Sequence, residues 1–302
     1  MSLRILHIDT GRELRGGQRQ VLLLMKGLRE AGHESVLLAR ENSPLWRSAV
    51  ENDLFVHDVK MRNVRKHSGR ADVVHAHDAR SHTIAALAVK RAFLVSRRVA
   101  FPVSRTFASR WKYGRAARFL AVSECVAQQL QAAGVPAGKI ELVFDGVEPV
   151  AAVAEWRIDY PAVALASADP RKGRDLVDQA AAAAKIPIHY SSDLARDLRH
   201  ASMFVYITRS EGLGSAALLA MSMGIPVIAS RVGGLPEAIV DGDSGILVSN
   251  DSGEIARAMQ RVITDTASTE GLIANARVRV AKLFSREQLV ERTLSAYRRV
   301  LA

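Results

Sequence analysis

The residues best suited to chemistry lie in one glycine-rich stretch, Ser210–Glu237, which reads SEGLGSAALLAMSMGIPVIASRVGGLPE. Glu211 opens a loop with two glycines, Gly212 and Gly214, and a short helical run follows that loop. A second glycine pair, Gly233-Gly234, comes after the next strand. Glycines let the backbone approach a bound molecule, and a carboxylate accepts hydrogen bonds from hydroxyl groups. The stretch therefore indicates a site for a ligand with several hydroxyls, such as a sugar.

A further glycine pair that could bind a ligand, Gly16-Gly17, lies between a predicted strand and a predicted helix. Free backbone N–H groups and the positive end of the helix dipole suit such a place to a phosphate. A simple flexible turn explains the two glycines equally well. The loop has neither the Gly-x-Gly-x-x-Gly pattern of a dinucleotide fold nor the Gly-Lys-Ser/Thr ending of a P-loop, which disfavours a dehydrogenase or an NTPase.

Two histidines, His75 and His77, end the predicted strand that starts at Val73. Alternate strand residues point to the same face, so the two rings could share one, and with Asp78 and His82 they could hold a metal. Histidines of this kind are more often satisfied core or cleft residues. Because ligands bind at the carboxyl ends of parallel strands, we predict a role for His77 near a bound ligand and no metal.

A segment rich in basic and aromatic residues covers residues 97–119. Basic side chains attract anionic headgroups, and aromatic rings settle at the edge of the acyl region, so an anionic membrane surface is one expected partner. Single-stranded nucleic acid, and a solvated face with inward-facing aromatics, are the alternatives. The basic residues are Arg97, Arg98, Arg105, Arg110, Lys112, Arg115 and Arg118; Phe101, Phe107, Trp111, Tyr113 and Phe119 lie among them.

The bulk composition narrows the class of protein. The chain has 302 residues, of which 48% are hydrophobic, and a single cysteine, so a disulfide scaffold is excluded and a reducing cytoplasm is expected. No run of about eighteen apolar residues predicts a membrane span. Residues 1–150 carry 24 Lys and Arg against 14 Asp and Glu, whereas the remainder carries 18 against 17. The excess of positive charge in the first half predicts an anionic partner for that half: nucleic acid, anionic lipid or a phosphorylated glycolipid.

Short apolar strands alternate with helical patterns along the chain, which predicts an α/β fold with parallel sheets. We expect an N-terminal domain at 1–148, a C-terminal domain at 149–285 and a final helix at 286–302 that packs back on the first domain. The link is expected within 148–161. Predicted strands lie at 4–9, 35–39, 73–77, 119–123, 139–144, 163–166, 186–190, 204–207, 227–230 and 246–248.

The Ser210–Glu237 stretch resembles the donor-binding signature of the family-four (group 1) glycosyltransferases, in which a glutamate opens a glycine-rich turn and a second glutamate follows eight positions later. Other stretches fall in the family's order: the glycine pair at 16 and 17, His75-Ala-His77, Ala121-Val-Ser123, Asp145-Gly-Val147 and Arg171-Lys-Gly173. The resemblance is closest to bacterial enzymes that build lipopolysaccharide and other envelope glycans. It implies a GT-B architecture, with two Rossmann-like domains facing across a cleft.

The resemblance also implies roles for particular residues. Glu211 would hold hydroxyls of the transferred sugar, and Lys172 would neutralise the diphosphate of a nucleotide-sugar donor. His77 completes the expected catalytic set. Such enzymes retain the anomeric configuration and need no metal or cofactor. The other expected donor contacts are Gly16, Gly17, Arg171, Gly212, Leu213, Gly214, Ser215 and Leu219; Arg97, Arg98, Arg105, Arg110, Trp111 and Lys112 would face a glycan or glycolipid acceptor at the inner membrane surface.

Four features depart from the family pattern. Leu219 stands where the second glutamate is expected, and Ser167 replaces an arginine five positions before the lysine. Arg98 falls where a histidine is expected, and one strand with its helices is absent between Gly173 and the strand at 204. Besides a retaining glycosyltransferase, the departures therefore leave open a non-catalytic protein of the same fold that binds a glycan, a nucleotide or a partner. Nucleic-acid binding lacks any recognised motif.

Overall fold

The structure is a computed structural model that describes residues 2–104, 106–148 and 155–302. Arg105 and residues 149–154 of the expected link lie outside the described residues. The chain divides into two compact units: Met1–Gly146 with Arg286–Ala302, and Val147–Ser285. We refer to them as unit 1 and unit 2.

Unit 1 is built on a seven-stranded sheet in the order β3-β2-β1-β4-β5-β6-β7, with every pairing parallel. Its central strands are buried on both faces, which explains their nearly continuous apolar sequences. The strands are β1 (Arg4–Ile8), β2 (Glu34–Ala39), β3 (Phe55–Asp58), β4 (Val73–Ala76), β5 (Leu94–Arg97), β6 (Arg118–Ala121) and β7 (Ile140–Leu142).

The helices of unit 1 cover this sheet. The apolar positions of α1 that follow helical spacing, Val21, Leu24 and Leu28, are fully buried. The last helix packs on α1, with Val290 against Gly27 and an Arg286–Glu30 ion pair of 2.7 Å. The helices are α1 (Gly16–Glu30), α2 (Pro44–Glu51), α3 (Met61–Ser68), α4 (Ala79–Ala88), α5 (Phe107–Arg115) and α6 (Glu124–Ala132), and, after unit 2, α13 (Arg286–Leu301).

Unit 2 repeats the design with a five-stranded parallel sheet in the order β12-β11-β10-β8-β9. Its core is formed by the apolar residues of these strands and of α7 and α11. The strands are β8 (Ala162–Leu165), β9 (Ile188–Ser191), β10 (Met203–Tyr206), β11 (Val227–Ser230) and β12 (Ile246–Val248). The helices are α7 (Arg174–Ala184), α8 (Leu194–Asp197), α9 (Ser215–Ser222), α10 (Leu235–Ala238), α11 (Ser252–Thr264) and α12 (Thr266–Leu283).

The prediction of an α/β fold with two parallel sheets is confirmed. In each sheet the strand order reverses at a pair of adjacent central strands: β1 pairs with β4 while β2 lies on its other side, and β8 pairs with β10 while β9 lies on its other side. Loops that leave such strands separate at their carboxyl ends and leave a crevice, where parallel sheets bind ligands. Within the described ranges, no helix is long and apolar enough to cross a bilayer.

Candidate functional site

Three polar side chains meet at the carboxyl end of β10 in unit 2. Lys172 Nζ lies 2.9 Å from Glu211 Oε2 and donates to Tyr206 Oη at 3.3 Å. The Tyr206 hydroxyl also donates to Glu211 Oε2. The side chains of Lys172 and Glu211 are 27% and 18% exposed, so both can reach a bound molecule from a mostly desolvated position. The structure therefore brings together two of the three predicted catalytic residues.

The local backbone explains why Lys172 lies beside β10. A short turn, Pro170–Lys172, ends at Gly173, where a Cβ would lie 2.6 Å from Ile207 Cγ2. Only glycine permits that approach, and it brings the turn against the chain that leaves β10. Arg209 N–H donates to the Arg171 carbonyl at 2.8 Å and joins the same two segments. The glycine of the Arg-Lys-Gly motif thus positions the lysine.

The glycine-rich loop begins at Glu211 and leads into the N-terminus of α9. The carboxylate Oε1 accepts from Gly212 N–H at 3.1 Å, and the Glu211 carbonyl accepts from Gly234 N–H at 3.2 Å. Leu213 is buried and anchors the loop in the core, while Ser215 begins α9. The first N–H groups of α9 have no helical partners and are available to an anion. A carboxylate for hydroxyls and amides for phosphate thus lie within one loop.

Two other predicted donor contacts, Arg171 and Leu219, differ from this group, as does Ser167, which replaces an arginine of the family pattern. Arg171 is exposed and its guanidinium binds Asp169, with Nη2 2.6 Å from Oδ2, an interaction that lowers the pKa of Asp169 to about 2. Leu219 is half-buried on α9 and offers only hydrocarbon where a second carboxylate was expected. Ser167 accepts from Asp169 N–H at 3.2 Å and supplies no charge. Of the residues predicted to contact the donor, Lys172 is therefore the one that places a positive charge beside Glu211.

Replacing Gly233 with alanine should disrupt this loop. Gly233 has φ +57°, and an added Cβ would lie 2.0 Å from the Glu211 carbonyl oxygen. The backbone of Glu211 must move, so we expect a loss of about 1–3 kcal/mol in the free energy of unfolding, as for other overpacked sites, together with weaker ligand binding. Urea unfolding and ligand titration measure the two effects.

Gly271→Ala is the matched control, because that glycine lies in α12 and a Cβ added there meets nothing within 4 Å. It should gain about 1 kcal/mol from the better helix propensity of alanine. A Gly233→Ala variant as stable as Gly271→Ala, and equally able to bind ligand, would contradict the assigned packing.

In unit 1, the predicted glycine pair forms the start of α1. Gly16 and Gly17 are its first two residues, and the first turn contains no acidic side chain. Arg98 lies beside this helix end, with its Cδ 3.9 Å from the position of a Cβ on Gly17. The arginine pairs with Asp145 (Nε to Oδ1, 2.9 Å), and its side chain is only 12% exposed. Arg98 therefore supports the α1 end from inside the unit rather than lying on the expected membrane-facing surface.

His77 follows β4 and is buried against His7, with Nε2 2.9 Å from His7 Nδ1. His75 bonds with Tyr297 and Ser96 through its two ring nitrogens. Burial lowers the pKa of His7 to about 3, and it lowers the pKa values of His75 and His77 well below the ordinary range. All three rings are therefore neutral at physiological pH. A direct role of His77 in catalysis stays a prediction.

Among the described residues, ring nitrogens of His7, His75 and His77 lie within 4.8 Å of one another, close enough to be considered as metal ligands. The rings pack on each other at interplanar angles of 27–44°, and Arg98 Nη1 lies 3.5 Å from His77 Nδ1. The ring nitrogens of His75 and the facing nitrogens of His7 and His77 are already hydrogen-bonded, and a guanidinium repels a cation. This arrangement favours a hydrogen-bonded core cluster.

The expected neighbours of that cluster lie elsewhere. His82 Nε2 bonds to the Lys112 carbonyl at 3.1 Å, and Asp78 caps α4 by accepting from Arg80 and Ser81 N–H groups. The ligand atoms of the histidine cluster therefore include neither of them, since His82 is bonded to the Lys112 carbonyl and the Asp78 carboxylate is shared between α4 and Thr10.

Asp9 lies at the crevice beside β1 and was missed by the sequence reasoning. It is 1% exposed and accepts from Gly11 N–H at 2.8 Å and from the Gln18 amide at 3.1 Å. Burial, and then the charge of Asp78, raise the pKa of Asp9 to about 6. Its place directly after β1 was the available signal, since residues there face the ligand crevice.

The basic and aromatic segment divides between surface and interior. Phe107 and Trp111 are 86% and 44% exposed on α5, which has no buried residue, and Arg110 is exposed beside them. Lys112 is half-buried and reaches the Ala79 carbonyl at 3.4 Å. Arg97 turns inward to the hydroxyl of Tyr113 (3.0 Å), so with Arg98 it leaves the expected surface. Arg105 lies outside the described residues.

Two glycosyltransferase family models, one for each half of the chain, match this sequence. Residues 14–150 match the family model Glycosyltransferase Family 4, and residues 150–265 match the model Glycosyl transferases group 1. A D-inositol 3-phosphate glycosyltransferase from Mycobacterium marinum is 36% identical over 118 residues, which cover 38% of this chain and 25% of the relative. The match therefore spans about a quarter of that relative's length.

Solved structures extend the likeness to the whole fold. Anabaena HepE, solved in complex with UDP and glucose, matches with a TM-score of 0.83 at 15% identity over 97% of this chain and 100% of that one. The lipopolysaccharide outer core galactosyltransferase WaaB matches with a TM-score of 0.70 at 15% identity over 97% and 99%. These likenesses show a fold of the GT-B type. Together with the two family models, they show that the chain belongs to the family-four (group 1) glycosyltransferases.

Proposed function

We propose that this protein transfers a sugar from a nucleoside-diphosphate donor to a glycan or glycolipid acceptor. The observation that carries the proposal is the Lys172–Glu211 pair, 2.9 Å apart at the carboxyl end of a central parallel strand, with Glu211 on the glycine-rich loop and Lys172 on the turn that precedes α7. A cation for a diphosphate and a carboxylate for sugar hydroxyls are the two contacts that a nucleotide-sugar requires. The UDP and glucose of the HepE complex favour a donor of this class.

In the proposed reaction, the bond between the sugar C1 and the diphosphate oxygen breaks as the acceptor oxygen bonds to the same face of C1. The configuration is therefore retained, and the acceptor proton passes to the leaving diphosphate. Lys172 stabilises the negative charge that develops on the leaving group, and Glu211 orients the sugar through its hydroxyls. No metal enters this scheme, because the ammonium group supplies the positive charge.

The charge pattern of unit 1 supports an acceptor at an anionic membrane surface. Residues 60–118 contain 15 Lys and Arg, whereas Asp72 and Asp78 are their only acids. The exposed Phe107 and Trp111 lie one helical turn apart on α5, a spacing that puts both rings on one face. A basic surface with aromatic anchors binds anionic headgroups. We propose a lipid-linked, envelope-type acceptor, as in lipopolysaccharide assembly, and a peripheral location on the cytoplasmic side.

Liposome flotation tests the membrane proposal. Binding to vesicles with anionic phospholipid should be strong at low salt, should weaken as salt screens the charges, and should fall several-fold in the double variant Phe107→Ser, Trp111→Ser. Val278→Ser is the control, since this valine is 67% exposed in unit 2, and it should bind as the wild type does. Equal flotation of all three proteins, or no flotation with anionic vesicles, would refute the proposed surface.

Transfer itself is tested by measuring the nucleoside diphosphate released from a panel of UDP-, GDP- and ADP-sugars with and without a bacterial glycolipid fraction. We expect one donor to be consumed, and faster when the acceptor fraction is present. If no donor is consumed under either condition, the transferase assignment fails.

One observation favours a second candidate function. Leu219 and Ser167 remove two polar donor contacts that the family pattern includes. A protein that binds a nucleotide or glycan without turnover would tolerate those losses. Ligand binding without release of nucleoside diphosphate in the same assay would identify this alternative.

A further inference from the structure

Tyr206 is a buried group that the proposed reaction does not use. It is the last residue of β10, only 5% exposed, and its ring stacks on Phe204 with centroids 5.5 Å apart at 19°. Its hydroxyl contacts both charged groups of the donor site, Lys172 and Glu211. The stacking on Phe204 and the place at the end of β10 fix the ring, so the position of the hydroxyl oxygen is set by the sheet.

The hydrogen bonds of Glu211 divide between its two oxygens. Oε1 accepts from Gly212 N–H at 3.1 Å, and Oε2 accepts from both the Tyr206 hydroxyl and Lys172 Nζ. Lys172 Nζ also lies 5.2 Å from the centroid of the Tyr206 ring. One phenol thus contacts the carboxylate through its hydroxyl and the ammonium through its hydroxyl and its π face.

The phenol stays a donor under all ordinary assay conditions. Burial, and then the negative charge of Glu211, raise the pKa of Tyr206 well above its usual range. The hydroxyl therefore keeps its proton, and because a carboxylate can only accept, the direction of this hydrogen bond is fixed.

A diphosphate that enters the site competes with Glu211 for Lys172. When the ammonium turns to the phosphate, a carboxylate with no other donor on Oε2 would be left undersatisfied and free to rotate. We propose that Tyr206 is a positioning residue, which holds the Glu211 carboxylate in place for the sugar hydroxyls while Lys172 engages the diphosphate. This inference rests on the proposed function and adds a residue to its donor site.

Tyr206→Phe isolates the hydroxyl, because the ring, its stacking on Phe204 and its contact with Lys172 remain. The variant should bind the nucleoside diphosphate alone within about two-fold of the wild type. Its affinity for the matching nucleotide-sugar should fall about ten-fold, which is the effect of one charge-assisted hydrogen bond. Tyr160→Phe is the control, a tyrosine of unit 2 whose ring packs on His200, and it should leave both affinities unchanged.

Calorimetric titration with UDP and UDP-glucose, and with the corresponding GDP and ADP pairs, gives both affinities, and thermal unfolding is recorded alongside. A selective loss of nucleotide-sugar affinity at unchanged thermal stability supports the positioning role. Equal affinities of wild type and Tyr206→Phe for the nucleotide-sugar would overturn it, as would parallel loss of both ligands with lowered stability. A wild type that binds no member of the panel would overturn the proposed function itself and this inference with it.

Discussion

Replacing Glu211 with glutamine is expected to lower kcat/KM for sugar transfer about 100-fold. The amide keeps the shape of the side chain but removes the charge that strengthens its hydrogen bond with Tyr206, and it leaves Lys172 without its ionic partner. Hydrogen bonds to charged groups contribute about 1.5–3 kcal/mol each, and about 2.7 kcal/mol corresponds to about 100-fold in rate. Initial rates of nucleoside diphosphate release measure the effect.

Glu270→Gln provides the control for this substitution. That glutamate is exposed on α12 in the same unit, so its loss of charge should leave kcat/KM unchanged. If Glu211→Gln transfers sugar at the wild-type rate, Glu211 does not act on the sugar and the assigned site is wrong.

Replacing Asp145 with alanine should destabilise unit 1 by about 3–5 kcal/mol. Asp145 and Arg98 are paired through a 2.9 Å contact, and their side chains are only 9% and 12% exposed. Without the carboxylate, the guanidinium remains buried against the neutral His77 and loses its ion-pair partner. A buried charge without its partner destabilises the fold by far more than the ion pair stabilises it. The free energy of unfolding measured in urea should therefore fall.

Two control variants distinguish the loss of this ion pair from a general disruption of the fold. The double variant Arg98→Met, Asp145→Leu removes both charges and should be more stable than Asp145→Ala alone. Asp159→Ala breaks an exposed ion pair with Arg157 and should not change the unfolding midpoint measurably. Asp145→Ala with the stability of the wild type would show that Arg98 finds water or another partner.

The sequence predicted those elements best whose apolar runs are bounded by turn residues. Strands β11 and β12 have the predicted bounds. Strand β3 was missed because it lies at the sheet edge, where Phe55 is 75% exposed and the pattern is half polar. Strand β5 was hidden by its basic flanks, so Arg97 was placed in a surface segment although it ends a buried strand.

The candidate site was predictable to the extent that its residues lie in one local motif. The loop that opens at Glu211 is contiguous, and the turn at Lys172 is marked by its glycine. The partners that give these residues their environment are distant in sequence: Arg98 meets Asp145 across 47 positions, and Lys172 meets Glu211 across 39. Pairing at that separation depends on strand order, which the sequence pattern alone did not specify.

Tyr206 shows that the sequence pattern can miss a contact even between residues only five positions apart. In sequence it is one apolar-type residue of a buried strand, and its aromatic ring packs as such a residue should. Only the turn after β10, which folds Glu211 back over the strand end, shows that its hydroxyl is directed at the carboxylate. A polar tip on a core aromatic usually finds a partner, and here the partner belongs to the donor site.

The most direct test of the account is calorimetric titration of the wild type and of Lys172→Met with UDP, GDP and ADP. Lys172→Met keeps much of the length of the side chain and removes its charge. We expect the wild type to bind one of the three nucleotides and Lys172→Met to bind it at least about ten-fold more weakly, because the ammonium places a positive charge beside Glu211. If the wild type binds none of them at millimolar concentration, or if Lys172→Met binds as tightly as the wild type, the donor site is not where the structure indicates.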